Sequence, residues 1–236
     1  YYAKDDNEDG TPDKYQVDVT FKAVNGTFGG TLRETGVKVD LYSWNEESQK
    51  WEETEGHLKA EQIPAATADT GYTGGTWDVT PDVKTVITED VTYTITFTEN
   101  TFGYSVHYFY DEVEDEDEAE PGNGLYGSQV TTYEGKPRTK YALDRVENLP
   151  LTIGAEVTEN VINVYYAKDD NEDGTPDKYQ TIFRYVSADI TKGTVSVSEE
   201  VHTFRDENGN YTEKTPISPN GATATATDGN AFDYWT

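Results

Sequence analysis

Two copies of one acidic segment carry the side chains best suited to hold a metal ion. The sequence YYAKDDNEDGTPDKYQ occurs at Tyr1–Gln16 and again, letter for letter, at Tyr165–Gln180. In each copy, oxygen-bearing residues recur at alternate positions of a loop, with glycine at the sixth position, which is the spacing of a calcium-binding loop. The predicted calcium ligands are Asp5, Asn7, Asp9, the Thr11 carbonyl and Asp13, and in the second copy Asp169, Asn171, Asp173, the Thr175 carbonyl and Asp177.

The twelfth position of each loop is glutamine, Gln16 or Gln180, where an EF-hand has a bidentate glutamate. Flanking helices are also absent from the pattern, so each loop resembles thrombospondin type-3 or dockerin-like loops more than an EF-hand. We expect weak affinity for calcium. The alternative is a solvated acidic turn that binds nothing.

The charge of the chain limits its partners. Among 236 residues, 46 are acidic and 18 are Lys or Arg, which gives a formal net charge of −28. Such a field repels phosphates, so we expect neither nucleic-acid binding nor attraction to anionic membranes. Insertion into a membrane is not expected either, because the sequence lacks an apolar run of about 20 residues. There is no cysteine, so disulfides and zinc–thiolate sites are excluded.

No combination of residues suggests catalysis, and we predict that the chain is not an enzyme. The sequence has no recognisable pairing of nucleophile and base. Gly122–Gly127 matches the glycine pattern of dinucleotide sites, but eight acids in the ten residues Asp111–Glu120 come shortly before it and a strand-like segment follows. A dinucleotide site needs a helix N-terminus at that point, so this match is rejected. The acidic run is either a cation- or partner-binding loop or a solvated hairpin loop.

Alternating apolar and polar residues predict a mainly β fold. Val91–Thr98 (VTYTITFT) has every apolar side chain on one face and every threonine on the other. Similar faces are formed by Val17, Val19 and Phe21, by Tyr104, Val106, Tyr108 and Tyr110, and by Val195 and Val197. At most, Trp51–Ala60 or Ala142–Asn148 could form a short helix.

The middle of the chain resembles the mucin-binding-protein (MucBP) repeats of Gram-positive surface proteins. The matching segments are YSVHYFYD at Tyr104–Asp111, GLYGSQV at Gly124–Val130, KYALDRV at Lys140–Val146 and NVINVYY at Asn160–Tyr166. This resemblance implies a small β-grasp-like module in which the first and last strands pair side by side. It also implies a mucin-type glycan or another host molecule as a possible ligand.

The flanking parts look like the stalk repeats of streptococcal and gut-Firmicute surface proteins, which are related to internalin B-repeats. The matching segments are VTFKAVNGTF at Val19–Phe28, GYTGGTWDVTP at Gly71–Pro81 and VTYTITF at Val91–Phe97. Tyr179–Thr236 resembles a diverged second copy in which AFDYWT at Ala231–Thr236 corresponds to the stretch around Trp77. On that alignment the second copy lacks its closing strand, which leaves an open sheet edge and suggests a piece of a longer array.

Together these patterns predict tandem β-grasp-like modules joined by calcium-loop-like linkers. We expect a linker at 1–15, a first module at 16–100, a middle MucBP-like module at 101–167, a linker at 168–178 and a truncated third module at 179–236. The predicted function is a non-enzymatic segment of a cell-wall-anchored stalk or adhesin on the bacterial surface, with joints stiffened by calcium. The alternative is a module centred on 101–167 that binds a host glycan or extracellular protein. We expect a monomeric, elongated chain whose other partners are its own neighbouring modules.

Overall fold

A computed structural model describes residues 2–235 and shows a mainly β protein. The chain forms two compact units. The first contains the described residues up to Phe102 together with Asn123–Ser128 and Thr152–Val157, and the second contains Gly103–Gly122, Gln129–Leu151 and the described residues from Thr158 onwards. Among the described residues the only helical segments are 3₁₀ turns, at Asp13–Tyr15, Ala60–Gln62, Glu116–Glu118, Val157–Glu159 and Asp177–Tyr179.

The strands of the first module build a four-stranded sheet and two separate two-stranded pairs, β2 with β6 and β4 with β5. Its strands are β1 (Gln16–Val24), β2 (Gly26–Phe28), β3 (Glu34–Asp40), β4 (Tyr42–Asn45), β5 (Lys50–Glu53), β6 (Ala66–Ala68), β7 (Tyr72–Trp77) and β8 (Val91–Glu99). The main sheet has the order β3-β1-β8-β7, and β1 runs parallel to β8. The predicted alternation is confirmed, since Val19 and Phe21 of β1 and Tyr93, Ile95 and Phe97 of β8 are all buried.

The middle module has a second sheet whose first and last strands are also parallel neighbours. Its strands are β9 (Thr101–Tyr110), β10 (Val113–Glu114), β11 (Glu120–Leu125), β12 (Gln129–Val130), β13 (Tyr141–Glu147), β14 (Leu151–Thr152) and β15 (Val161–Lys168). The order β10-β9-β15-β13 places β9 against β15. Val106, Tyr108 and Tyr110 of β9 and Ile162 and Val164 of β15 form its buried face, as the alternation predicts.

The third module contains only short pairs of strands among its described residues. These are β16 (Gln180–Arg184), β17 (Gly193–Val195), β18 (Glu199–Thr203) and β19 (Ala224–Ala226). β16 pairs with β18, and β17 pairs with β19. The strand face predicted for Val195 and Val197 is only partly present, because β17 ends at Val195 and Val197 is 45% exposed.

Both short helices predicted from the sequence are wrong. The range Trp51–Ala60 begins inside β5, where Trp51 lies opposite Trp44 of β4. The range Ala142–Asn148 largely coincides with β13, where Ala142 lies opposite Ala167. β5 pairs with the strand just before it across a hairpin, and β13 pairs with β15, about twenty residues further along the chain. In both places pairing with a neighbouring strand overrides a weak local preference for helix.

Candidate cation-binding loops

The first acidic loop is a tight turn organised around its own carboxylates. Gly10 has φ = +93° and Glu8 has φ = +54°, a left-handed conformation that is costly for a residue other than glycine. The Gly10 N–H donates to Asp5 Oδ2 at 3.0 Å, and the Thr11 N–H donates to Asp9 Oδ1 at 2.8 Å. The carboxylates of the loop therefore stabilise the turn by accepting hydrogen bonds from its backbone N–H groups.

The second loop repeats this geometry in different surroundings. Glu172 and Gly174 again have positive φ values, of 58° and 85°. The Gly174 N–H donates to Asp169 Oδ2 at 2.8 Å, and the Thr175 N–H donates to Asp173 Oδ1 at 2.9 Å. The shared sequence thus produces the same loop in both units, so its shape comes from its own residues.

A ninth-position aspartate closes each loop from the other end. Asp13 Oδ1 accepts from the Asp6 N–H at 3.2 Å, and Asp177 Oδ2 accepts from the Asp170 N–H at 3.1 Å. Each of these aspartates begins a 3₁₀ turn that leads directly into the next strand. The predicted ligands at positions 1, 3, 5 and 9 are thereby drawn into one short loop in each copy.

Amide side chains donate hydrogen bonds to the fifth-position aspartate of the first loop. In the first loop Asn7 Nδ2 and Gln16 Nε2 donate to Asp9 Oδ2 at 2.7 and 2.6 Å. Burial acts to raise the pKa of Asp9, but hydrogen bonds from the Thr11 N–H, Gln16 and Asn7 outweigh it and lower the pKa. The carboxylate is therefore ionised at neutral pH.

The second loop contains the same arrangement of amides around Asp173. Gln180 Nε2 donates to Asp173 Oδ2 at 2.7 Å, and Asn171 Nδ2 donates at 3.1 Å. Burial opposes ionisation here as well, yet the bonds from Gln180, the Thr175 N–H and Asn171 lower the pKa of Asp173. Both copies thus keep a central carboxylate charged.

Several oxygen atoms of the two loops are buried without any donor. Among residues 2–235, every buried side-chain oxygen or nitrogen that lacks a hydrogen-bond partner belongs to one of the two copies: Asp5 Oδ1, Gln16 Oε1, Asn171 Oδ1, Asp177 Oδ1 and Gln180 Oε1. Gln16 is only 9% exposed and Gln180 only 2%. An unpaired buried acceptor costs about 1–3 kcal/mol. Ionised carboxylates and amide oxygens can only accept, so they require a cation or a donor such as water.

The two glutamines are candidate ligands that the sequence prediction left out. Gln16 and Gln180 are the first residues of β1 and β16, and the amide of each reaches back over its loop. The Oε1 atom of each glutamine is buried without a hydrogen-bond partner, which makes it a sixth candidate oxygen beside the five predicted in its loop. Calcium takes six to eight oxygen ligands, so the donor set of each loop reaches the lower end of that range. The signal was present in the sequence, as a glutamine at position 12 of both copies.

Carboxylates alone do not form a metal cluster in this part of the chain. Within residues 2–235, no group of three or more His, Asp or Glu side chains is placed to hold a metal ion. The oxygens of Asp9 and Asp173 are turned toward amide and backbone N–H donors instead. Any ion bound here would use amide and carbonyl oxygens together with carboxylates, which is typical of calcium rather than zinc.

The second loop is anchored to the middle module by one buried carboxylate. Asp144 on β13 has a side chain that is only 1% exposed. It accepts from Lys178 Nζ at 2.6 Å, from Tyr179 Oη at 2.7 Å and from Arg145 Nη1 at 2.8 Å. Burial works to raise the pKa of Asp144, but these bonds prevail and lower it. The 3₁₀ turn that ends the loop is therefore attached to the sheet that precedes it.

The acidic run Asp111–Glu120 is a hairpin in which several carboxylates pair with basic side chains. Arg138 bonds to Asp115 and lies within 3.4 Å of Glu118. Arg145 forms a bidentate pair with Glu112 at 2.8 and 2.9 Å. The glycine-rich match that follows lies on β11 and the turn after it, with no α-helix within the described residues.

Comparisons with known proteins give no direct assignment. No protein-family model matches the sequence, and no curated protein matches it either. In the described part of the chain, no helix combines the length and apolar character needed to cross a membrane.

Proposed function

We propose that this chain is a non-enzymatic segment of a bacterial cell-surface stalk or adhesin, with tandem β modules joined by calcium-binding loops. The observation that carries the proposal is the location of the unpaired buried oxygens, all of which belong to the two copies of the repeated segment. Burying several acceptors without donors is unfavourable, and one divalent cation in each loop would satisfy the acceptors of that loop.

The second loop lies between two strands that a bound calcium ion would connect. Its first candidate ligand, Asp169, directly follows β15 of the middle module, and its last, Gln180, opens β16 of the third. An ion bound by both ends of this loop would tie the two strands to one point. Without an ion, two loop carboxylates roughly 5 Å apart repel each other by about 3 kcal/mol at an effective dielectric near 20, which opposes the hydrogen bonds that close the loop.

The strand order of the middle module supports the β-grasp part of the proposal. β9 and β15 are the first and last strands of that module and pair in parallel, with Val161 opposite Ser105 and Tyr166 opposite Tyr110. This is the side-by-side pairing that the MucBP resemblance implies. The same resemblance is the basis for proposing a location on the bacterial cell surface.

Binding of a host glycan or extracellular protein by residues 101–167 is kept as the alternative proposal. It rests on the MucBP resemblance. The stacked pair Phe109 and Tyr165 in this range has Arg145 lying 3.6 Å over the Tyr165 ring. That ring face is already covered by the guanidinium, so the pair offers a sugar less stacking surface than an open ring would.

Calorimetric titration with calcium tests the main proposal. We expect two sites per chain with dissociation constants on the order of 0.1–1 mM, the range of extracellular modules. Asp173→Ala should abolish one site and Asp9→Ala the other, because each removes a central charged ligand. Asp117→Ala removes a carboxylate from the acidic hairpin and should leave both sites intact. Equal binding by all three variants would mean that calcium is held elsewhere, and no binding at all would reject the proposal.

Solution scattering in calcium and then in chelator tests the effect on the joint. At ten times the dissociation constant, calcium adds only about 1.4 kcal/mol of stability, so the main change should be in the spread of interatomic distances. Asp173→Ala should lose the response to calcium. Asp9→Ala should keep it, because the first loop precedes the first module. An identical response from both variants would contradict calcium control of the second joint.

A further inference from the structure

The β4–β5 hairpin of the first unit has four aromatic rings in contact at its surface. Trp44 of β4 lies directly opposite Trp51 of β5, and their ring centroids are 5.8 Å apart. Tyr15, which ends the 3₁₀ turn before β1, stacks on Trp51 at 5.1 Å and contacts Tyr42 at 4.8 Å. Trp44 is 43% exposed, and the other three residues are half-buried. We call these four residues the aromatic face, and a contiguous exposed patch of this kind is typical of a binding surface.

A cleft of about 420 Å³ adjoins the aromatic face. Tyr42 and Glu53 line the cleft and lie opposite each other on the hairpin, so both side chains are on the same side of it. The cleft is also lined by the acidic residue Glu55 and by the apolar residues Leu41 and Val86. Such a lining suits one long basic side chain, whose methylene groups need an apolar wall and whose charged end needs a carboxylate.

The carboxylates beside these rings have no basic partner of their own. Among the described residues, neither Glu53 nor Glu55 forms an ion pair with Lys or Arg, and Glu55 has only the imidazole of His57 near it, at 3.5 Å. The lysine of the hairpin, Lys50, lies opposite Asn45, on the side of the hairpin away from the tryptophans. The chain carries a formal net charge of −28. The field at this surface therefore favours a cation.

Elsewhere in the chain, an aromatic ring beside a carboxylate is covered by a basic side chain. The guanidinium of Arg145 lies 3.6 Å over the ring of Tyr165 and donates to Glu147 at 2.9 Å. Arg138 covers the ring of Tyr110 in the same way, at 3.7 Å, and pairs with a carboxylate of the acidic hairpin. These two places show which group the combination of ring and carboxylate holds in this protein.

The aromatic face presents the same combination with most of its ring surface uncovered. Lys14 Nζ lies 4.6 Å over the ring of Tyr15. In the part of the chain that the structure describes, no Lys or Arg lies over the ring of Trp44 or Trp51. Tryptophan is the ring that attracts a cation most strongly. The face thus has the rings and, in Glu53, the carboxylate, but the basic side chain must come from another molecule.

We propose that the aromatic face and the adjoining cleft bind an arginine-bearing segment of a partner polypeptide. One guanidinium lies over Trp44 and pairs with Glu53, because arginine stacks on aromatic rings and donates to carboxylates in a planar fork. A second basic side chain of the segment enters the cleft, with its methylene groups against Leu41 and Val86 and its charged end at Glu55.

Charge complementarity favours this partner over a glycan. A neutral sugar would stack on the rings but would not neutralise Glu53 and Glu55, and an anionic sugar would be repelled by the field of the chain. The site contains none of the candidate calcium ligands and lies outside residues 101–167. It is therefore independent of both the calcium-stiffened joint and the MucBP-like module.

Calorimetric titration of the full chain with two peptides tests the proposal. The probe is a pentapeptide of sequence Gly-Arg-Gly-Arg-Gly, acetylated and amidated at its ends. The control peptide has citrulline in place of both arginines, which keeps the planar shape of the side chain and removes its charge. We expect saturable binding of the arginine peptide. The citrulline peptide should bind at least about tenfold more weakly, because the charge supplies both the ring contact and the carboxylate contact.

Three variants of the chain locate the site. Trp44→Ala and Glu53→Gln should each weaken binding of the arginine peptide about fivefold, which corresponds to one exposed cation–π contact or ion pair. Both residues are exposed on the hairpin, so neither change removes part of the buried core. The matched control is Glu207→Gln, which removes the same charge from an exposed turn of the third module and should leave binding unchanged.

Three results would overturn the proposal. The first is absence of binding at millimolar arginine peptide. The second is an equal loss of affinity in Glu53→Gln and Glu207→Gln, which would mean that the peptide responds only to the net charge. The third is tighter binding of the neutral oligosaccharide cellohexaose than of the arginine peptide, lost in Trp44→Ala, because the aromatic face would then be a glycan site.

Discussion

Replacing Phe21 with alanine should lower the free energy of unfolding of the first unit by about 3–5 kcal/mol. Phe21 is fully buried, stacks on Tyr93 at 5.8 Å and meets the edge of Trp77. Its removal leaves a cavity between β1 and β8 that the surrounding sheet can fill only in part. Denaturant unfolding, followed by amide signals of the two units separately, measures the loss.

The matched control is Tyr185→Ala, because Tyr185 follows Phe21 by the same spacing that separates the two copies of the repeated segment. Tyr185 lines an open cavity of the third module, and its hydroxyl donates to Glu200 at 2.8 Å. Truncation there enlarges a space that is already open and removes one hydrogen bond, which contributes about 1 kcal/mol. We expect a loss well below that of Phe21→Ala. Equal losses would show that the third module is as fully packed as the first.

Replacing Asp144 with alanine should destabilise the attachment of the second loop by about 2–3 kcal/mol, since three bonds that involve charged groups or a phenol are lost. The cost stays below that of breaking a fully buried ion pair, because Lys178 and Arg145 keep about 40% of their side chains exposed. Amide exchange in Asp177–Tyr179 should become faster, and the proposed calcium binding at the loop should weaken.

The pH dependence of the stability that Asp144 contributes separates the effect of its charge from the effect of its shape. The pKa of Asp144 is lowered in the folded chain from an ordinary 3.8, so its stabilisation is complete above that value and is lost as the pH falls through the folded pKa. Asp144→Asn keeps the shape of the side chain and should remove this acid-dependent part. If wild type and Asp144→Asn lose stability in parallel below pH 4, ionisation of Asp144 does not stabilise the joint.

The strands of the main sheets were predictable because apolar and polar residues alternate along them, which distinguishes the buried face from the exposed face. The alternation of Val91–Thr98 identifies the buried face of β8 without any knowledge of its neighbours. β5 and β13 were not predictable in this way, because their pairing depends on partner strands that the local pattern does not reveal. Trp51 becomes a strand residue through Trp44 across the hairpin.

That the candidate ligands share one short loop was predictable from their spacing, while the contacts that the two glutamines make were not. Positions one to nine follow one another closely, so side-chain type and spacing are enough to bring them together. The role of Gln180 depends on how the chain turns after Asp177–Tyr179, which decides whether the amide points back to Asp173. Asp144 was missed for a similar reason, since it lies 34 residues before Lys178.

The parallel pairing of first and last strands also determines how a module carries load. In the first module six consecutive residues of β1 pair with six of β8, and in the middle module six of β9 pair with six of β15. A pull on the two ends of such a module slides one strand along the other, so all the bonds between them are strained together. Separation therefore requires simultaneous rupture, whereas a hairpin opens one bond at a time. The open edge of β16 has no such shear-resistant partner among the described residues.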